Sequence, residues 1–135
     1  MRDTIRTLLQ DTVTWAIVGL SPDPARDSHR IATLLQSRGK RVIPVNPHVG
    51  EILGERAYPS LHELASAMAV DVVDIFRRAD QAGRHVDEAI AIGARAVWMQ
   101  LGVVDEAAAA RARDAGLLVV MDRCPAIEWP RLASG

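Results

Sequence analysis

An α/β fold, a single doubly wound (Rossmann-like) parallel sheet of five strands with helices on both faces, is predicted by three observations. Five short runs rich in Val and Ile lie at residues 15–19, 41–46, 71–76, 96–101 and 117–122. They show little strict apolar/polar alternation, which is the pattern of strands buried on both faces. Helical stretches separate them, and three of these close on a glycine, at Gly39, Gly93 and Gly116, just before the next strand begins. A left-handed residue after the last helical turn has that signature. Right-handed crossovers between such βα units give a doubly wound sheet, for which the expected strand order is 3-2-1-4-5 with a ligand at the switch point beside strand one.

The elements follow in order. Ile5, Leu8 and Leu9 share one face of a short amphipathic N-terminal helix. The first strand runs from Trp15 into Gly19-Leu20-Ser21-Pro22, and a helix with Ile31, Leu34 and Leu35 on one side opens after that turn. The second strand ends in Val45-Asn46-Pro47, and residues 47–59 form the longest irregular stretch. Ser60-Leu61-His62-Glu63 has the form of a capping box, so a short helix should begin near Leu61. The third strand ends in Asp74-Ile75-Phe76-Arg77-Arg78, and Val86, Ala89 and Ile90 mark the buried side of the helix behind it. The fourth strand carries Trp98, expected as a core or interface anchor, and ends in Gln100-Leu101-Gly102. An alanine-rich helix at residues 105–115 precedes the fifth strand, and residues 125–132 form a last turn or helix.

Bulk properties narrow the function. With 135 residues, 49% of them hydrophobic, the chain is expected to form one domain with a core at about residues 13–132. The formal net charge is −1 and basic residues are scattered, which argues against a diffuse attraction to nucleic acid or to an anionic membrane. Cys124 is the one cysteine, so neither an internal disulfide nor a cysteine-based zinc site is available. No apolar run approaches the roughly 18 residues that span a bilayer, and the first dozen residues have no signal-peptide core. A cytoplasmic location is expected. A homodimer is expected only on the general tendency of small α/β domains to pair.

The chemistry gathers at the strand ends. At the turn containing Gly19 and Ser21, backbone N–H groups and a helix N-terminus attract phosphate. The spacing is neither G-x-G-x-x-G nor G-x-x-x-x-G-K-[ST]. Arg26 and Arg30 read either as phosphate contacts or as a solvated helix face. A side chain at Gly19 is expected to collide with bound phosphate or force the turn open, while leaving the sheet intact. NAD-binding folds place a carboxylate at the end of strand two, and Asn46-Pro47 supplies none. Phe76 offers a stacking surface beside two guanidinium groups, and Gln100 and Gly102 offer an amide and room for close approach. Asp74 is expected to bond backbone groups at its strand end. His29, His48, His62 and His85 share no catalytic spacing with a nucleophile, and Cys124 reads first as a small buried hydrophobe.

Taken in order, Ala16-Ile17-Val18-Gly19-Leu20-Ser21, Arg41-Val42-Ile43-Pro44-Val45-Asn46-Pro47, Tyr58-Pro59-Ser60-Leu61, Asp71-Val72-Val73-Asp74-Ile75-Phe76-Arg77-Arg78, Trp98-Met99-Gln100-Leu101-Gly102 and Val120-Met121-Asp122-Arg123-Cys124-Pro125 resemble the small stand-alone coenzyme A-binding proteins. These are related to the CoA-binding domain of the succinyl-CoA synthetase α-subunit. The resemblance implies a loop at residues 19–28, with Gly19, Leu20, Ser21, Arg26 and Ser28, that holds the CoA phosphates with Arg30 beside it. It further implies Asn46-Pro47 and Phe76-Arg77 flanking the nucleotide, and Gln100, Leu101 and Gly102 lining the pantetheine side. The family pattern has Pro and Tyr where this chain has Asp27 and His29. Ligase chemistry is not expected, because the phosphohistidine domain of the synthetase has no counterpart in these residues. The implied function is binding of CoA or an acyl-CoA without catalysis, as a sensor, carrier or regulatory module. The alternatives are an NAD(P)-dependent oxidoreductase-like domain and an interaction module with a vestigial pocket. For Cys124, near the carboxyl edge, a mixed disulfide with the CoA thiol is the lesser alternative to the role of a small buried hydrophobe.

Overall fold

A computed structural model describes residues 2–133. Helix α1 (Arg2–Gln10) precedes β1 (Thr14–Val18), α2 (Asp27–Ser37) and β2 (Arg41–Val45). A small hairpin, β3 (Glu51–Ile52) and β4 (Glu55–Arg56), and the short α3 (Leu61–Ala65) lead to β5 (Val72–Ile75). The chain then alternates α4 (Ala79–Ala91), β6 (Ala96–Met99), α5 (Glu106–Asp114), β7 (Leu118–Val120) and α6 (Pro125–Ala133). The five strands of the main sheet are all parallel, so the predicted fold class is the observed one.

Both faces of the sheet are covered because successive side chains on each strand point to opposite sides. Ala16, Val18, Val73, Ile75, Val97 and Met99 pack against α3, α4 and α5. Trp15, Ile17, Val72, Ala96, Trp98 and Val120 pack against α1, α2 and α6. The predicted face of α1 is the buried one, with Ile5, Leu8 and Leu9 all inside. Trp98 is fully buried, donates its Nε1–H to the Arg123 carbonyl at 2.9 Å, and lies 5.7 Å from the Trp15 ring. Gly39, Gly93 and Gly116 have φ of 85°, 74° and 91°, as helix-ending glycines require.

The strand order differs from the expected 3-2-1-4-5. It is β2-β1-β5-β6-β7, so the second of the five strands is an edge and the third lies directly against the first. Pro44 in the middle of β2 explains this, because a residue without an N–H cannot sit inside a sheet with ladders on both sides. Pro44 presents its carbonyl outward, where it accepts from Tyr58 N–H at 3.0 Å, and the Asn46 N–H donates to the Tyr58 carbonyl at 2.9 Å. Those bonds close the edge. From β1 the chain proceeds outward to β2 and then returns across to β5, so the switch point lies between β1 and β5. It is still beside strand one, as expected.

Residues 47–59 are not wholly irregular. The hairpin turns at Leu53 and Gly54, with φ of 53° and 78°, and Ile52 and Leu53 join the core beneath α2. Of the capping box, the Ser60 half forms: its Oγ accepts from Glu63 N–H at 3.2 Å.

Candidate functional site: the carboxyl edge of the sheet

At the switch point the ends of β1, β2 and β5 are tied together by backbone bonds. Gly19 N–H donates to the Val45 carbonyl at 3.1 Å, and Phe76 N–H donates to the Val18 carbonyl at 2.9 Å. Gly19 has φ of 84°, and a Cβ built on it would stand 2.5 Å from the Phe76 carbonyl oxygen. The first obstacle to a side chain there is therefore backbone, not a ligand. Of the two expected consequences of a side chain there, the geometry supports the forced opening of the turn.

Beyond Gly19 the loop is braced by its own side chains. Ser21 N–H donates to Ser28 Oγ at 3.0 Å, Asp23 N–H to Ser21 Oγ at 3.1 Å and Ala25 N–H to Asp23 Oδ1 at 2.9 Å. Arg30 pairs with Asp27 and donates to the Ala25 carbonyl at 2.7 Å. Ser28 is buried, and Arg30 is a strut of the loop as well as part of its wall. The N-cap residue of α2, Arg26, makes no side-chain capping bond, and the same is true of Arg78 at α4. Both helices thus present uncapped first-turn N–H groups at the edge where anions are favoured. Helices α3 and α5 are capped instead, by Ser60 and Asp105.

Three connected hollows run along this edge. The first, about 370 Å³, is bounded by Gly19, Ser21, Asn46, Pro47, Ser60 and Arg77, and on the α4 side by Arg84, His85 and Glu88. The second, about 500 Å³, shares Gly19 and Ser21 and adds Arg26, Asp27, Ser28 and Phe76. The third, about 520 Å³, continues past Phe76 and Arg77 to Gln100 and an apolar end formed by Ile31, Leu101, Val103, Cys124 and Ala126. The crevice therefore changes from cationic at one end to apolar at the other.

Most of the expected site residues come together here. Leu20 does not contribute its side chain, which is fully buried beneath the loop. Its carbonyl accepts from Asn46 Nδ2 at 2.9 Å, while Asn46 Oδ1 accepts from His48 N–H at 2.8 Å. Asn46 thus clamps the loops after β1 and β2 together. Gly102 has φ of 84° and donates its N–H to Asp122 Oδ1 at 2.7 Å, outside the lining of the three hollows. Arg26 and Arg77 have no ion pair among the described residues, so both guanidinium groups are available to an anion.

Behind Gln100, and outside the lining of the third hollow, lies a buried carboxyl group. Asp74 is fully buried on β5 between Ile17 and Trp98. With its amide nitrogen turned inward, Gln100 donates to Asp74 Oδ1 at 2.8 Å and Oδ2 at 3.3 Å. Burial pushes the Asp74 pKa well above the usual carboxylate value, because no cation offsets the lost hydration. Asp74 therefore partners a side chain and not the backbone groups first expected.

His48, Arg84, His85 and Glu88 did not stand out as site residues in the sequence. Their signal was indirect: α4 starts at the edge where β5 ends, so it must border the crevice, and positions 84, 85 and 88 lie on one flank of the apolar stripe of Ala82, Val86 and Ala89.

Comparison with known proteins gives concordant results. The family described as CoA binding domain matches residues 13–130. The YneT protein of Bacillus subtilis (strain 168) is 38% identical over 120 residues, which is 89% of this chain and 87% of that protein. A hypothetical protein from Pyrococcus horikoshii OT3 has a solved structure that is 35% identical, with a TM-score of 0.91 over 98% of this chain and 92% of that one. A dinucleotide-forming acetyl-coenzyme A synthetase from Ca. Korarchaeum cryptofilum shares the fold, at 23% identity and a TM-score of 0.73 over 87% of this chain and 28% of that one.

Proposed function

We propose, from the premise that this chain belongs to the CoA binding domain family, that it binds coenzyme A or an acyl-CoA without catalysing a reaction. The observation that carries this reading is the polarity of the crevice: free guanidinium groups and uncapped helix N-termini at one part, an apolar chamber at the other. A nucleotide joined to a long, largely neutral arm has the same asymmetry. Arg26, Arg77 and the N–H groups of α2 and α4 would receive phosphate, Phe76 would flank the nucleotide, and Gln100 and Leu101 would border the arm.

Two further features favour binding over chemistry and CoA over NAD(P). The His85 imidazole has no nucleophile hydrogen-bonded to its Nε2 among the described residues. The Asn46 amide is engaged with Leu20 and His48 and provides no carboxylate to a ribose. A role as sensor, carrier or regulatory module in the cytoplasm fits a chain in which, among the described residues, no helix is long and apolar enough to cross a membrane.

Thermal melting in the presence of CoA, acetyl-CoA, NAD and NADP tests the reading. A ligand at 100 times its Kd adds about 2.7 kcal/mol of stability, so CoA or acetyl-CoA should raise the melting temperature more than either dinucleotide. An equal or larger rise with NAD would transfer the site to the oxidoreductase reading, and no rise with any of the four would favour the interaction module.

A further inference from the structure

The cationic end of the crevice contains a group whose hydrogen bonding is incomplete. His85 Nδ1 lies 2.6 Å from Glu88 Oε1, and the ring is 14% exposed. Its other nitrogen, Nε2, is buried and has no hydrogen-bond partner among the described residues. With Nδ1–H donating to the Glu88 carboxylate, Nε2 carries a lone pair. An imidazolium in its place would carry an N–H in need of an acceptor.

Resting on the coenzyme A reading, we propose that this chamber is a phosphomonoester subsite, in which Arg77, Arg84 and His85 receive the dianion and His85 takes up one solvent proton at Nε2 as the dianion arrives. The charges around His85 support this. On its own helix it faces Glu88 and Arg84, and from the loop after β5 it faces Arg77. His48 borders the same hollow from the loop after β2. Helix α3 presents the Ser60 cap there, while its titratable residues His62 and Glu63 are exposed. From α5, Arg111 pairs with Asp87 and Asp105 approaches Gly83. With neutral His85, two guanidinium groups and one carboxylate leave the chamber one positive charge. A dianion overcompensates that charge, and a proton on His85 restores the balance.

In the unliganded protein several effects keep the proton off. Burial lowers the His85 pKa most, Glu88 works in the opposite direction, and Arg84 and Arg77 lower it further. An entering dianion cancels the repulsion from the two arginines and, once the ring turns Nε2 from its buried position toward the hollow, supplies the acceptor that Nε2–H lacks. A phosphomonoester, whose second pKa is about 6, remains mostly dianionic where this exchange takes place. Coenzyme A carries such a group on its ribose, and dephospho-CoA does not.

Isothermal titration of CoA and dephospho-CoA into the wild type, each in two buffers of different ionisation enthalpy, reads the effect directly. Near pH 7.5, CoA should bind with net proton uptake and dephospho-CoA more weakly with none. Because each unit of raised pKa is worth at most a tenfold change in affinity, CoA binding should tighten roughly three- to tenfold between about pH 8 and about pH 6.5. The His85→Gln variant should bind CoA without the uptake. Inorganic phosphate, as a separate titrant, should weaken CoA by competition more than it weakens dephospho-CoA. Equal binding of CoA and dephospho-CoA without proton uptake would overturn the subsite and leave the CoA reading standing. Failure of both to bind would overturn the two together.

Discussion

Asp74 shows how one residue can set the acid–base behaviour of the whole fold. It is fully buried against Gln100, and its pKa is raised well above 3.8 by the loss of hydration. A carboxyl group with a raised folded-state pKa contributes stability that is complete below its unfolded pKa and is lost as pH rises through the folded value. Asp71, at the opposite edge, has the reverse sign. Burial works against its charge, but N–H donation from Val13 and Thr14, with Arg95 nearby, outweighs it and lowers the pKa. Its contribution is therefore lost on acidification. The Asp74→Asn variant isolates the first effect: it keeps the shape and a hydrogen-bonding group but cannot ionise. Its stability relative to wild type should rise between about pH 4.5 and about pH 7.5, by about 1.4 kcal/mol for each unit by which burial has raised the pKa within that range. Urea denaturation of both proteins at the two pH values measures this, and a difference that stays constant with pH would contradict it.

At the scale of elements, the junction of β1 and β5 governs the crevice. Gly19 and Gly102 both have φ of 84°, but only at Gly19 would a Cβ meet backbone, the Phe76 carbonyl oxygen at 2.5 Å. Both Gly→Ala substitutions incur left-handed strain of about 1–3 kcal/mol. Gly19→Ala should cost more than Gly102→Ala, because the end of β5 must also shift. Equal losses in chemical denaturation would mean that the two strands do not approach so closely. The sequence was most legible where one force dominates. Buried parallel strands need unbroken Val and Ile, so all five runs correspond to strands, and α1 announced its inner face through Ile5, Leu8 and Leu9. The order of strands depends on hydrogen-bond capacity, and Pro44 held that information without being weighed. The β3–β4 hairpin was hidden because the first residue of its turn is Leu53 at positive φ, where Asn, Asp or Gly usually precedes the glycine, here Gly54.

For the molecule as a whole, the doubly wound topology brings distant residues to one edge. Gly19, Asn46, Phe76, Arg77 and Gln100 were readable as residues that border one crevice, because strand ends meet there in any such sheet. Their division of labour was not. Asn46 and Arg30 spend their hydrogen bonds on bracing loops, and the cationic end includes Arg84 and His85 from a helix whose apolar face alone had been apparent. On the proposed reading, CoA lies along the whole carboxyl edge. Amide hydrogen exchange with and without saturating CoA tests it most directly, because exchange slows where backbone is ordered by a ligand. Protection is expected in the loop after β1, at the N-termini of α2 and α4, and around residues 100–101, with the opposite edge near Asp71 and Arg95 unchanged; protection confined to that opposite edge, or none at saturation, would contradict the account.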